Sequence, residues 1–367
     1  MTAAATDLTE RAAALHRDAI IVDGHSDILM AIADRKMRLR DRVELPDPTT
    51  WRPPLGWTDS DETKLYNFSP HTAYFQTMGH YDIPRFLEGG LTAQACAVFL
   101  ESAHLDRPLH RTLEMIYWLR REAAENSEFA LIERVADFQA IKQAGKTAGF
   151  LTFEGFEPLE SDLKLLDIFY DLGLRMASLT HSRRNFFADG TQMGVKTGGL
   201  SEPGQDAVRR MNELGIVVDL AHLNTVGCWD VLKLSEAPVV LSHTSPSKYF
   251  PDDPPASPMY PDIVDDRSRA LLDAIAANGG VVGIIAYNQP DLDAYVDDID
   301  YVIRAVGPDH VGLGTDFFGV ERAPKGFATM AELPNLTAKL VERGYADDVI
   351  LKILGGNYLR VFAQVWA

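Results

Sequence analysis

Cysteine is nearly absent: the chain has two in 367 residues, Cys96 and Cys228, far apart and each inside an apolar run. Disulfide-stapled folds use many closely spaced cysteines, so that class is excluded and both thiols are expected to be reduced and buried. Long apolar stretches are missing too. No run approaches the ~20 residues of a membrane-spanning helix. The segment Met1 to Glu10 has neither the basic region nor the apolar core of a signal peptide. Basic charge is scarce: 35 Lys and Arg face 53 Asp and Glu, a formal net charge of −18. That sign repels phosphate backbones and anionic lipid, which argues against a nucleic-acid partner and against a membrane surface. The expectation is a soluble, cytoplasmic chain.

What is present is an ordinary globular composition, 46% hydrophobic and 24% charged, with enough length for a large core. Short apolar runs rich in β-branched residues recur, and most of them end in an ionisable residue. They are 19–22 before Asp23 and His25, 93–100, 148–153 before Glu154, and 174–179 before His181. Then follow 216–220 before His222, 239–241 before His243, 281–286 before Tyr287, and 311–313 before Asp316. Stretches with helical spacing separate them, such as Ala207, Val208, Met211 and Leu214. Continuous apolar strands alternating with amphipathic helices indicate a parallel sheet buried on both faces. Eight such strands predict α/β architecture as a single (β/α)8 TIM barrel over residues 1–367, with a doubly wound open sheet as the second choice. Long polar, proline-rich excursions at about 37–80 and 245–266 follow the first and sixth strands. In a barrel both are loops at the C-terminal mouth, where substrates enter.

The chemistry-bearing residues are His25, Asp27, Glu154, His181, His222, His243 and Asp316. A lone histidine after an apolar run is ordinarily structural. Here four of the ten histidines fall at the same end of their strands, and a barrel brings those ends onto one ring. Burying several carboxylates and imidazoles together without a cation is costly. Neutral imidazoles with carboxylates and no thiolate suit Zn²⁺, or a similar divalent ion, in an open catalytic site. The set exceeds the needs of one four-coordinate ion. Two ions sharing a carboxylate would use the surplus, hold a hydroxide nucleophile and polarise a carbonyl. Asp316 is placed to take a proton from the bridging water.

Several stretches, in this order, carry a family resemblance. They are Val22-Asp23-Gly24-His25-Ser26-Asp27, Gly89-Gly90-Leu91-Thr92-Ala93-Gln94, Glu154-Gly155, and Leu179-Thr180-His181 with Asn185. Further on come Gly199 to Gly204, Met211 to His222, Ser242-His243, Gly279 to Gly283, and Gly312-Leu313-Gly314-Thr315-Asp316-Phe317. The sequence resembles the membrane (renal) dipeptidases, peptidase family M19 of the amidohydrolase superfamily, whose fold is a (β/α)8 barrel of the metal-dependent hydrolase type.

The resemblance implies two zinc ions per subunit. His25 and Asp27 hold one, His222 and His243 hold the other, and Glu154 bridges both together with a water or hydroxide. It further implies that His181 binds substrate and stabilises the oxyanion, and that Asp316 is the general base. The implied substrate is a dipeptide, L-Xaa–D-Xaa included, and the implied assembly a homodimer. One departure stands out. The family's Arg-Asn-x-x-Asp segment, whose arginine holds the substrate carboxylate, has no clean match here, and Arg267 is the nearest candidate. Arg183 and Arg184, just after His181, are either an anion clamp or a solvated pair. The altered loop keeps an alternative open, a related amidohydrolase cleaving an N-acyl amino acid or a cyclic amide. A more remote one is a non-catalytic, zinc-stabilised sensor or scaffold.

Overall fold

Parallel strands closed into a ring and covered by helices have no solvated face, so their residues stay apolar without alternation. That pattern is realised here. The computed structural model describes residues 3–35, 37–42, 81–193, 198–249, 269–287, 289–320 and 323–366. Among them the strands are β1 (Val22–Asp23), β2 (Ala93–Phe99), β3 (Phe129–Leu131), β4 (Thr147–Glu154) and β5 (Leu174–Ser178). The remainder are β6 (Val217–Asp219), β7 (Val240–Thr244), β8 (Val281–Ile284) and β9 (Val311–Leu313). All pair in parallel, in the order β1-β2-β4-β5-β6-β7-β8-β9, and the pair Asp23–Leu313 closes β9 onto β1. This is a (β/α)8 barrel, and its strands fall on the apolar runs of the sequence.

The additional strand is β3. It lies beside the first residues of β4, Thr147 to Gly149, before β5 takes over that side at Leu151. Side chains alternate along the barrel strands. Val22, Ala93, Ala95, Ala148, Phe150, Met176, Val217, Val240 and Val281 form an inner cluster with Tyr358, Val361, Phe362 and Trp366 of the C-terminal segment. The helix Asn357–Val365 thus packs its aromatic face against residues from the N-terminal ends of the strands. The Phe362 and Trp366 rings stack at 4.3 Å, with Phe138 at 5.7 Å from each. Each fully buried aromatic of this kind contributes about 1.5–3 kcal/mol.

Connections at the N-terminal end are tight. Ser201 caps the helix Glu202–Leu214 by accepting from the Gly204 N–H, Pro203 sits in its first turn, and Gly215 ends it at φ 77°. Cys96 and Cys228 are both buried, and neither is part of a disulfide. Among the described residues no helix is long and apolar enough to cross a membrane. Most of the two loop excursions, 43–80 and 250–266, lies outside the described residues, as does Arg267.

Candidate metal centre

Every strand contributing to the site ends at the same rim, and the last residue or the next few turn inward. Glu154 is the final residue of β4, and His243 lies one residue before the end of β7. His25 and Asp27 follow β1, His181 follows β5, His222 follows β6 and Asp316 follows β9. The rim therefore gathers seven side chains from six strands. His25 Nε2 lies 3.5 Å from Glu154 Oε1, 3.6 Å from Asp316 Oδ1 and 3.9 Å from Asp27 Oδ1. Glu154 Oε1 is 2.8 Å from His222 Nε2 and 3.7 Å from His243 Nε2. The imidazole rings form a chain, with centroids 4.0 Å apart for His25–His243, 4.8 Å for His243–His222 and 4.2 Å for His222–His181.

Three overlapping groups have donor atoms within 4.8 Å of one another: His25, Glu154 and His243; Glu154, His181 and His222; His25, Asp27 and Asp316. Glu154 belongs to two of them, and so does His25. His25 Nε2, Asp27 Oδ1 and Glu154 Oε2 are buried without any hydrogen-bond partner. Orphaned polar atoms of this kind are costly unless a ligand takes them. The donors are imidazole nitrogens and carboxylate oxygens with an unspent lone pair each, so the cluster fits divalent cations.

The electrostatics agree. Burial, reinforced by charge on His222, pushes His25 down to about 3. Burial likewise holds His181 and His243 well below the usual imidazole range. These rings are therefore neutral and ready to coordinate. The carboxyls go the other way: burial holds Asp27, Glu154 and Asp316 well above their ordinary values, with mutual repulsion adding to the effect at Asp27 and Asp316. A cation reverses that penalty by supplying the charge the carboxylates lack.

Two of the seven residues adopt left-handed backbone. His222 has φ 61° and Asp316 φ 55°, and such conformations persist only where the surroundings hold them. The carbonyl of His222 accepts from Thr191 N at 2.8 Å and from Thr180 Oγ1 at 3.4 Å. The Asp316 carbonyl accepts from Gly319 N at 2.9 Å. After Glu154 the chain needs φ 108°, a value that favours glycine, and Gly155 supplies it.

Supporting residues escaped the sequence reading. Ser242 Oγ lies 3.0 Å from His243 Nδ1 and fixes the ring so that Nε2 faces Glu154. Asp219 Oδ1 accepts from the N–H groups of Ala221 and Ser242, at 3.0 and 2.9 Å, and so ties β6 to β7 beneath the two histidines. Asp23 accepts from Tyr81 Oη at 2.9 Å and from Thr315 N and Oγ1 at 2.8 and 2.7 Å. For Asp23 and Asp219 the visible signal was their place at the ends of apolar strands. Ser242 offered only adjacency to His243, and Tyr81 offered none.

Comparison with known proteins follows the same lines. The profile of the family described as membrane dipeptidase (peptidase family M19) matches residues 9–367. Dipeptidase aclJ of Aspergillus oryzae is 32% identical over 319 residues, spanning 82% of this chain and 72% of that protein. Dipeptidase tcpJ of Claviceps purpurea is 30% identical over 306 residues, spanning 78% of this chain and 69% of that protein. Among solved structures, dipeptidase AC, a metallopeptidase of family M19, superposes with a TM-score of 0.75 at 25% identity, over 95% of this chain and 99% of that one. An amidohydrolase from Pseudomonas aeruginosa gives 0.71 at 25% identity, over 97% and 99%.

Proposed function

Because the chain belongs to the membrane dipeptidase family, peptidase family M19, and is a metallo-dipeptidase, we propose that it cleaves L,L and L,D dipeptides at a two-zinc centre. In this reading His25 and Asp27 would hold one ion and His222 and His243 the other, with Glu154 serving both. The observation that carries it is the trio of buried, unpartnered donor atoms, His25 Nε2, Asp27 Oδ1 and Glu154 Oε2, inside a single cluster. When bound, zinc supplies Lewis acidity for the scissile carbonyl and lowers the pKa of water toward ~7.

The side chains do the rest. Asp316 stands at the rim within reach of the His25 side of the cluster. With its charge stabilised by the cations, this carboxylate would take a proton from the attacking water and return it to the departing amine. His181 is neutral, and its ring packs against Phe99 at 4.6 Å. A neutral imidazole keeps one N–H, which donates to the carbonyl oxygen as negative charge grows there. Glu154, with Oε1 3.5 Å from His25 Nε2 and 2.8 Å from His222 Nε2, would serve both halves of the centre.

The decisive experiment is amino-acid release from a panel of L-Xaa–L-Xaa and L-Xaa–D-Xaa dipeptides, with zinc and with a chelator. Zinc-dependent release from both series is expected. No release from zinc-loaded protein overturns the reading. Faster turnover of N-acyl amino acids or cyclic amides would move the activity to a related amidohydrolase.

A further inference from the structure

Arg183 lies in the loop after β5, two residues beyond His181, with its side chain 13% exposed. Two of its three nitrogens are fixed from two different strands' loops. Nε donates to Glu157 Oε1 at 3.1 Å, and Nη2 donates to the carbonyl of Leu100 just after β2. The third nitrogen, Nη1, is buried and has no hydrogen-bond partner. The guanidinium sits 5.9 Å from the centre of the Phe99 ring, which in turn lies against His181. Its charge acts on both His181 and Glu154, so it stands within electrostatic reach of the cluster.

A charged N–H buried without an acceptor is unfavourable, and ion pairing to Glu157 leaves that atom unserved. A planar fork with two corners anchored and the third open is pre-organised for one more acceptor. Carboxylates match that geometry best. Dipeptide substrates carry such a group a few bonds from the scissile carbonyl. We propose that Arg183, steadied by Glu157 and Leu100, binds the free α-carboxylate of the substrate and sets the requirement for an unblocked C-terminus. The proposal rests on the dipeptidase reading above. It gives the chain a carboxylate anchor on the fifth strand's loop.

The test uses zinc-loaded full-length protein and matched probes, Gly–D-Ala and its C-terminal amide. Wild type should prefer the acid. Arg183→Gln should lower kcat/KM on the acid by roughly ten- to hundredfold, chiefly through KM, with little change on the amide. Arg183→Lys should recover part of the loss. Arg184→Gln, whose parent residue pairs with Asp189, should keep the preference. Equal losses on acid and amide, or no loss on the acid, overturn the proposal. Melting curves check the fold, and Arg183→Lys replaces Arg183→Gln should the latter not fold.

Should wild type cleave neither these probes nor any dipeptide of the panel above, the dipeptidase reading fails and the anchor is judged by binding alone. N-acetyl-D-alanine should then raise the melting temperature of wild type but not of Arg183→Gln, while its amide raises neither. Equal shifts in both proteins would sink the anchor by itself.

Discussion

The Nε2 atoms of His222 and His243 lie 2.8 Å apart, and a single Glu154 oxygen faces both. Residues from β4 and from the ends of β6 and β7 thus address one point in space. In a neutral pair one ring must donate to the other, whereas a shared cation lets both lone pairs, and the carboxylate, be used at once. Metal removal should therefore cost fold stability as well as activity. A ligand at a hundred to a thousand times its Kd stabilises by about 2.7–4.1 kcal/mol, which lowers the melting temperature by roughly 5 °C when it is stripped. Thermal denaturation with and without a chelator measures it, and zinc should restore the midpoint. An unchanged midpoint would mean that no ion is held here.

Asp316 offers a cleaner separation of binding from chemistry. Its φ of 55° lies in the left-handed region, which asparagine tolerates and alanine does not. Asp316→Asn should keep the backbone, the melting temperature and most of the metal, yet remove the proton acceptor. A turnover loss of about 10²–10⁴ is expected. Unchanged turnover with metal content confirmed by elemental analysis would remove Asp316 from the base role.

Much of this was legible in the sequence, for identifiable reasons. Strands buried on both faces read as unbroken apolar runs, so the barrel strands could be placed, and each metal-ligand candidate followed from its position at a strand end. The strand β3 was not legible: Phe129–Leu131 is too short and pairs only with the start of β4. Helical spacing alone does not fix which face is buried: the helix Leu165–Asp171 buries Leu166 and Phe169 and leaves Ile168 exposed. At the site, the left-handed turn at His222 receives hydrogen bonds from Thr180 and Thr191, residues distant in sequence, which no local pattern encodes. Arg183 was visible as a charge after His181. Its open nitrogen required three loops to be brought together.

The buried carboxylate Asp23 shows how the site is braced from below. Desolvation pushes its pKa upward, and hydrogen bonds from Thr315 and Tyr81 oppose that rise. Thr315 directly precedes Asp316, so the bonds couple β1 to the loop carrying the proposed base. Tyr81→Phe removes one donor to a fully buried carboxylate and should cost about 1–3 kcal/mol. Urea denaturation would show it as a lower midpoint at unchanged slope. An unaltered midpoint would mean that the Thr315 bonds alone satisfy Asp23.

A pH effect on stability should arise far from the metal centre, at His16. Its Nε2 lies 2.9 Å from the Gly89 carbonyl and therefore donates, which leaves Nδ1, 2.7 Å from Thr337 Oγ1, to accept. The neutral ring thus joins the helix Ala3–Asp18 to the helix Leu333–Glu342 and to the turn after Ile83–Glu88. Burial lowers the His16 pKa below its usual 6.5, Lys142 adds to the effect, and the Gly89 carbonyl opposes it. Between the folded value and 6.5 the unfolded chain binds the extra proton and the native state does not. Stability from this group is accordingly intact above 6.5 and falls as the pH drops toward the folded value. His16→Gln keeps a donor and an acceptor but cannot titrate. Subtracting its melting curve from that of wild type cancels every other titration. The difference should shrink from about pH 7.5 to about pH 5; one that stays constant would show that His16 takes up its proton alike in both states.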